Sequence, residues 1–355
     1  MNTSAIARLL TASVILIGLL AWAGTLPPDA DLLASAREYF EPLPKVMASA
    51  DNPLSDVKVQ LGKMLYYEPR LSKSGVISCN SCHNIATYGV DNMPTSIGHK
   101  WTIGDVNSPT TMNAAATVAQ FWDGRAEDVE EQAKGPVLNP AEMGIPHEQF
   151  AVDRIASIPD YRDLFNQAFP GQENPLTYDN MANAIGAFER TLVTPGRFDT
   201  FLEGDTTALT QVEKEGLNAF MERGCTSCHF GATVGGGQFD KFGIYRPYQE
   251  LTGSTKLDVG RFEVTKNEAD RFMFKVPVLR NVSRTYPYFH DGTVWNLKDA
   301  TRIMGEAQLD EEIPEPELEA LVAFLNSLTG EIPKDALQLP VLPPSTELTS
   351  KPDVS

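Results

Sequence analysis

The sequence predicts a mainly α-helical chain of two related domains, with long loops and little strand. Three observations carry that reading. Apolar residues recur at three- and four-residue spacing in several segments, the signature of amphipathic helices. A helix followed by Cys-x-x-Cys-His occurs twice, at Cys79 and at Cys225, 146 residues apart. Finally, 26 Gly and 25 Pro are spread over 355 residues, which places long irregular connections between the helices.

Taken in order, the chain opens on a leader. Arg8 is the only charge before Asp29, the run from Leu9 to Ala23 is almost wholly apolar, and Ala21-Trp22-Ala23 has the small-x-small form of a cleavage site. Residues 1–23 are therefore expected to be an export signal peptide. An uncleaved anchor is the alternative, because the run approaches the ~20 residues that span a bilayer. Asp31 to Phe40 and Asp56 to Tyr67 then show helical spacing, with Val57, Leu61, Met64 and Leu65 sharing one face of the second. Ser72-Lys73-Ser74-Gly75 breaks the pattern and leads into Cys79-Asn80-Ser81-Cys82-His83, followed by a long loop over Thr87–Pro109. Asp179 to Leu192 reads as the closing helix of the first domain, and Thr194-Pro195-Gly196 as the boundary. In the second domain, Glu213 to Arg223 is helical and Gly224 ends it. Cys225-Thr226-Ser227-Cys228-His229, a loop over Gly231–Gly260 and a closing helix over Glu317–Leu328 follow. The expected domains are residues 24–195 and 196–331. The Pro-rich, polar segment 332–355 reads as a strap or a disordered tail.

Composition narrows the function. There are 47 acidic against 29 basic residues, a formal net charge of −18. Nucleic acid is excluded as a partner, since phosphate neutralisation needs a basic surface, whereas a basic protein partner fits. With 42% hydrophobic and 21% charged residues the chain is neither disordered nor a polytopic membrane protein. Four cysteines are too few for a disulfide scaffold of this size.

All four cysteines fall in the two CxxCH motifs. This is the form of covalent c-type haem attachment, in which both thiols add to the haem vinyl groups and the adjacent His ligates the iron. A zinc site or a redox dithiol can also use CxxC. Neither requires a His after both pairs, and a zinc ribbon rarely separates its halves this far. Two covalent haems are the expectation. For the second axial positions, His99, His147 and His290 remain among the histidines, with ten methionines, and composition does not choose among them.

The longer motifs do. CNSCHN, SIGHKW, NSPTTMNAA and QFWDGRAEDVEEQAKGPVLNPAEM, then FKVPVLRNVSRTYPYFHDGTVWNLKDA and RIMGEAQL, closely resemble the bacterial dihaem cytochrome c peroxidases of the periplasm. The resemblance runs from about Leu61 to Leu328. Their superfamily also contains the dihaem enzyme that matures the tryptophylquinone cofactor. It implies two cytochrome c-like domains packed around a haem–haem interface, the first peroxidatic and the second for electron transfer. By the same resemblance His83 and His229 are proximal ligands, with His99 distal to the N-terminal haem and Met304 distal to the C-terminal one. Met273 is the rival to Met304, whose plain reading is a core position on a face shared with Ala300, Ile303 and Ala307.

The resemblance also assigns Gln132 and Glu142 to O–O bond cleavage and Trp122 to electron transfer between the haems. Asn107, Thr285 and Pro287 match an interhaem calcium site. His290 reads as a residue behind the site or at the interface, and His147 as a surface residue. A thioether favours ferrous iron and raises the potential, so the Met-ligated haem is expected to accept electrons first, after which His99 must leave the N-terminal iron. The implied function is reduction of hydrogen peroxide to water with electrons from a small cytochrome c or copper protein, in a homodimeric periplasmic enzyme. A superfamily oxidase acting on a protein or organic substrate is one alternative, which Met304 argues against. A non-enzymatic dihaem electron carrier is another, which Gln132 and Glu142 argue against.

Overall fold

Fourteen helices, most of them short, surround two hydrophobic cores in the computed structural model, which describes residues 26–355. The expected leader lies outside the described residues. The first half carries α1 (Asp29–Tyr39), α2 (Asp56–Tyr66), the single-turn α3 (Cys79–Cys82), α4 (Val129–Leu138), α5 (Glu148–Ala156), α6 (Pro159–Ala168) and α7 (Tyr178–Glu189). The second carries α8 (Arg197–Glu203), α9 (Gln211–Glu222), α10 (Tyr248–Thr252), α11 (Phe262–Thr265), α12 (Leu297–Met304), α13 (Glu315–Ser327) and α14 (Lys334–Leu337). Strand is confined to the antiparallel pair β1 (Phe239–Lys241) and β2 (Met273–Lys275), in register Phe239↔Lys275 and Lys241↔Met273. The mainly helical expectation holds.

Local signals explain where the longer helices begin. Ser55, Asp128 and Thr177 accept the backbone N–H of Lys58, Glu131 and Asn180, capping α2, α4 and α7. Thr210 and Glu213 form a capping box at α9. The expected helices are all present, with ends moved by a few residues.

The repeat seen in the sequence is a repeat in packing. Helix α2 crosses α7 at Gly62, where a Cβ would lie 1.7 Å from the Ala184 carbonyl oxygen. Helix α9 crosses α13 at Gly216, where a Cβ would lie 1.9 Å from the Ala320 carbonyl oxygen. Phe188 and Phe324 flank these two crossings in the same way. Each pair anchors one core: Leu61, Leu65, Ile185 and Phe188 in the first, Leu217, Phe220, Leu321 and Phe324 in the second.

The chain ends are exchanged between the cores. Leu32, Ala36 and Phe40 of α1 pack in the second core, although they precede the first. Ala336 packs in the first core, although it follows the second. Beyond it the tail runs over the first half as a strap, with Thr346 donating to the Ser157 carbonyl at 2.9 Å and Arg154 to Ser350 Oγ at 2.6 Å. The Asp353 N–H donates to the Lys73 carbonyl at 2.9 Å.

The segment around Thr194 is a buried seam rather than a loose linker. Asn113 and Asn281, both in left-handed backbone, donate to Thr194 Oγ1 at 2.8 Å from opposite halves. Nearby, Arg280 is fully buried and makes a bidentate pair with Asp199, at 2.8 and 2.9 Å. Removing one partner strands a buried charge, so Asp199→Ala is expected to cost about 3–5 kcal/mol. Chemical denaturation of the variant and wild type, compared at matched haem content, measures this.

Candidate functional site

In the second half, α9 stops at Glu222 and Gly224 takes φ 74°, turning the chain so that Cys225, Cys228 and His229 face a cavity of about 350 Å³. Met304, the last residue of α12, lines the same cavity, and a π-helical turn over Gly305–Leu309 follows it. Such turns recur at functional sites because they displace one residue from the regular ladder. Met273 does not line the cavity. His229 is buried, its Nδ1 closes no hydrogen bond, and burial pushes its imidazole down to about 4. A neutral imidazole is the form that ligates a metal. Burial also pushes the Cys225 and Cys228 thiols up to about 11. A thiol pair, a neutral buried His and a Met around one largely apolar cavity fit a c-type haem.

The first half repeats the theme more tightly. Cys79 and Cys82 bound the single turn α3, and His83 follows it. The His83 Nδ1 lies 2.9 Å from the Pro109 carbonyl. A carbonyl only accepts, so Nδ1 carries the proton and Nε2 is left basic for a metal. Tyr66 steadies this turn by donating to the His83 carbonyl at 2.6 Å.

His99 is 5% exposed, and among the described residues neither ring nitrogen has a hydrogen-bond partner. Leaving both nitrogens of a buried imidazole unmatched is costly, so the side chain fits a ligand absent from the polypeptide. Its backbone N–H donates to the Glu142 carbonyl at 2.7 Å. A Cβ on Gly98 would lie 1.9 Å from the Ala141 carbonyl oxygen, and one on Gly144 3.0 Å from His99 Cδ2. The His99 segment and the Glu142 loop are thus one packed unit. Lys100 and Trp101 hold left-handed backbone, φ 58° and 62°, and Trp101 is 85% exposed. Each such residue stores roughly 1–2 kcal/mol of strain.

Glu142 is half-buried and accepts from Asn139 Nδ2 at 2.6 Å. Burial raises its carboxyl above the usual range, partly offset by that hydrogen bond and by the Arg125 guanidinium. Gln132 is half-buried on α4, and the loop after α4 folds back on it through Met143 N–H to the Pro136 carbonyl at 3.2 Å. One helix and its returning loop therefore carry both residues.

Between the halves, Trp122 donates from Nε1 to the Asn107 carbonyl at 2.9 Å, and its own carbonyl accepts from the Lys275 N–H at 2.8 Å. Trp122, Asn107, Thr285, Pro287 and His290 all line the large cavity. The Asn107 amide donates to the Met93 carbonyl at 2.9 Å, and its N–H to the His290 carbonyl at 2.8 Å. His290 is buried, stacked on Phe274 at 4.2 Å between ring centroids. His147 is exposed, caps α5 through Nδ1 and does not line the large cavity.

Two residues escaped the sequence reading. Arg125 stacks on the Phe121 ring at 3.4 Å and pairs with Asp123 at 2.9 Å. Lys275 is buried, with its ammonium pushed down to about 8. The signal for the second was present: a single Lys inside the apolar run Met273 to Leu279.

Comparison with known proteins agrees with this geometry. The family described as di-haem cytochrome c peroxidase matches residues 56–207. Cytochrome c551 peroxidase of Nitrosomonas europaea is 47% identical over 347 residues, covering 98% of each chain. Cytochrome c551 peroxidase of Pseudomonas aeruginosa is 47% identical over 336 residues, 94% of this chain and 96% of that one. A crystal structure of a MauG-like protein associated with microbial copper homeostasis superposes with a TM-score of 0.73 at 28% identity, over 84% of this chain and 97% of that one. With paired CxxCH turns in a repeated helical frame and full-length relatives of this kind, the chain belongs to the di-haem cytochrome c peroxidase family, a group of haem-containing oxidoreductases that act on peroxide.

Proposed function

We propose that hydrogen peroxide is reduced to water in the first half of this dihaem peroxidase, at a site built from His99, Gln132 and Glu142, with electrons received through the second half. The observation that carries this is His99, a buried imidazole without a partner at either nitrogen among the described residues, tied by its main chain to the loop of Glu142.

Cys79, Cys82 and His83 would hold one haem, with His99 as a further ligand, and Cys225, Cys228 and His229 the other, with Met304 as a further ligand. The two haems supply the iron at which peroxide is reduced and the route for its electrons. His99 blocks the first site until its segment moves, and the left-handed Lys100 and Trp101 store strain that favours that movement. Once the site is open, the Glu142 carboxylate accepts a proton from one peroxide oxygen and returns it to the other. The Gln132 carboxamide donates a hydrogen bond to the charge that develops. Trp122 bridges the halves through Asn107 and Lys275, and these contacts support a role for its ring in electron transfer between them.

Finer features belong to the same proposal. Residues 24–195 and 196–331 form the two haem-bearing units, their terminal segments exchanged. The Asn107 side chain with the carbonyls of Thr285 and Pro287 offers oxygen ligands suited to calcium. The donor is a small soluble cytochrome c or copper protein with a basic face, steered by the net charge of −18. The enzyme is exported to the periplasm and works as a homodimer. The test is a pyridine haemochrome assay together with peroxide-dependent oxidation of a reduced small cytochrome. Two haems per chain and stoichiometric donor oxidation are expected; one haem, or no oxidation by half-reduced protein, would sink the proposal.

A further inference from the structure

Lys275 stands on β2, facing the seam between the halves, and lines the large cavity together with Cys225, Cys228, His229 and Met304. It is 8% exposed. Among the described residues its ammonium has one hydrogen-bond contact, to Thr117 Oγ1 at 3.3 Å. That hydroxyl already accepts from Gln120 Nε2 at 2.9 Å. An ammonium has three donors and burying it without an anion costs several kcal/mol, so this arrangement is incomplete.

The neighbouring carboxylates do not complete it. Asp123 acts on Lys275 through space, but both of its oxygens are taken by Arg125, at 2.9 and 3.1 Å. Asp240, on the facing strand, accepts from Cys228 at 3.0 Å and from Gln238 at 3.4 Å. No carboxylate of the described chain lies within ion-pair distance of Lys275. The missing anion must therefore be brought by whatever fills the cavity. A c-type haem joins the thiols at its vinyl edge and carries two propionate carboxylates at another edge.

We infer that Lys275 is the counter-cation for a propionate of the haem attached at Cys225 and Cys228, and so a positioning residue that helps set how readily that haem is reduced. The inference rests on the dihaem reading above. Its physical content is a sign: a nearby cation favours ferrous over ferric iron, and removing it leaves the propionate charge uncompensated, which favours ferric iron. The lysine also couples the halves, because its backbone N–H holds the Trp122 carbonyl while its side chain would hold the haem.

The experiment is a spectroelectrochemical titration of the full-length holoprotein and of Lys275→Met and Lys275→Arg, with haem counted by pyridine haemochrome. At a fixed potential, Lys275→Met should shift the ferrous-to-ferric ratio of the C-terminal haem at least tenfold toward ferric, equivalent to 59 mV for a one-electron couple. Lys275→Arg keeps the charge and should stay within tenfold of wild type. A shift below tenfold in Lys275→Met overturns the assignment, as do equal shifts in both variants or a shift confined to the N-terminal haem. If Lys275→Met does not acquire both haems, Lys275→Gln is read by the same criteria. A wild-type count of one haem would instead overturn the dihaem reading and leave this criterion without its object.

Discussion

Replacing Glu142 with Ala is expected to lower peroxide turnover at least about a hundredfold while leaving both haems attached, since a positioned proton-transfer group contributes typically 10²–10⁴-fold. The geometry separates this loss from a folding defect. The Glu142 side chain makes one hydrogen bond, with Asn139, whereas the loop is held by main-chain bonds from His99 N–H to the Glu142 carbonyl and from Met143 N–H to the Pro136 carbonyl. Ala keeps those bonds. The sign of the pH dependence follows from burial, which raises the carboxyl, against the opposing influence of Asn139 and Arg125. A base is active when deprotonated, so wild-type turnover should fall on the acid side at a pH above the ordinary carboxylate value. In Glu142→Gln that limb should vanish. Stopped-flow mixing of half-reduced protein with peroxide across pH measures both, and near wild-type turnover in Glu142→Ala would remove Glu142 from the proton relay.

The second large effect concerns access. With His99→Gly the oxidised protein should react with peroxide at once, whereas the wild type should react only after its C-terminal haem is reduced. On the proposed reading the ring is the blocking element; among the described residues neither of its nitrogens has a hydrogen-bond partner. The main chain at His99 is held by the bond to the Glu142 carbonyl and by the packing of Gly98 against Ala141, so movement of the whole segment would break these contacts. The N-terminal haem of the variant should therefore lose its six-coordinate low-spin absorbance in the oxidised state, while the C-terminal haem keeps its own. Retention of that absorbance would mean that another residue is the gate, with His147, which caps α5, the first to test.

These two residues mark how much of the site was legible in the chain. His99 and Glu142 were reached through long motifs, SIGHKW and NPAEM, and each alone reads as an ordinary loop residue. Nothing in either motif says that the two loops are one packed unit, because that depends on a Gly at 98 and another at 144 meeting a loop some forty residues away. Arg125 and Lys275 were missed for a related reason. A charged side chain, whether in an irregular segment like Arg125 or at the end of a short strand like Lys275, reads as solvated until packing shows what covers it.

What the sequence by itself determined was everything local or repeated. The caps at Ser55, Asp128 and Thr177 lie within three residues of the donors they satisfy. Each CxxCH turn is complete in five residues, and the helix pairs with their crossing glycines recur along the chain. What only the tertiary structure decided was long-range. It placed α1 in the second core and the tail on the first, and it chose Met304 over Met273 to line the cavity. It also left Lys275 buried without an anion. The physical reason is that a cap or a turn is a contact within a few residues, readable from spacing. Burial and charge partners are instead set by surfaces brought together across more than a hundred residues, where each side chain's environment belongs to the fold and not to its neighbours in sequence.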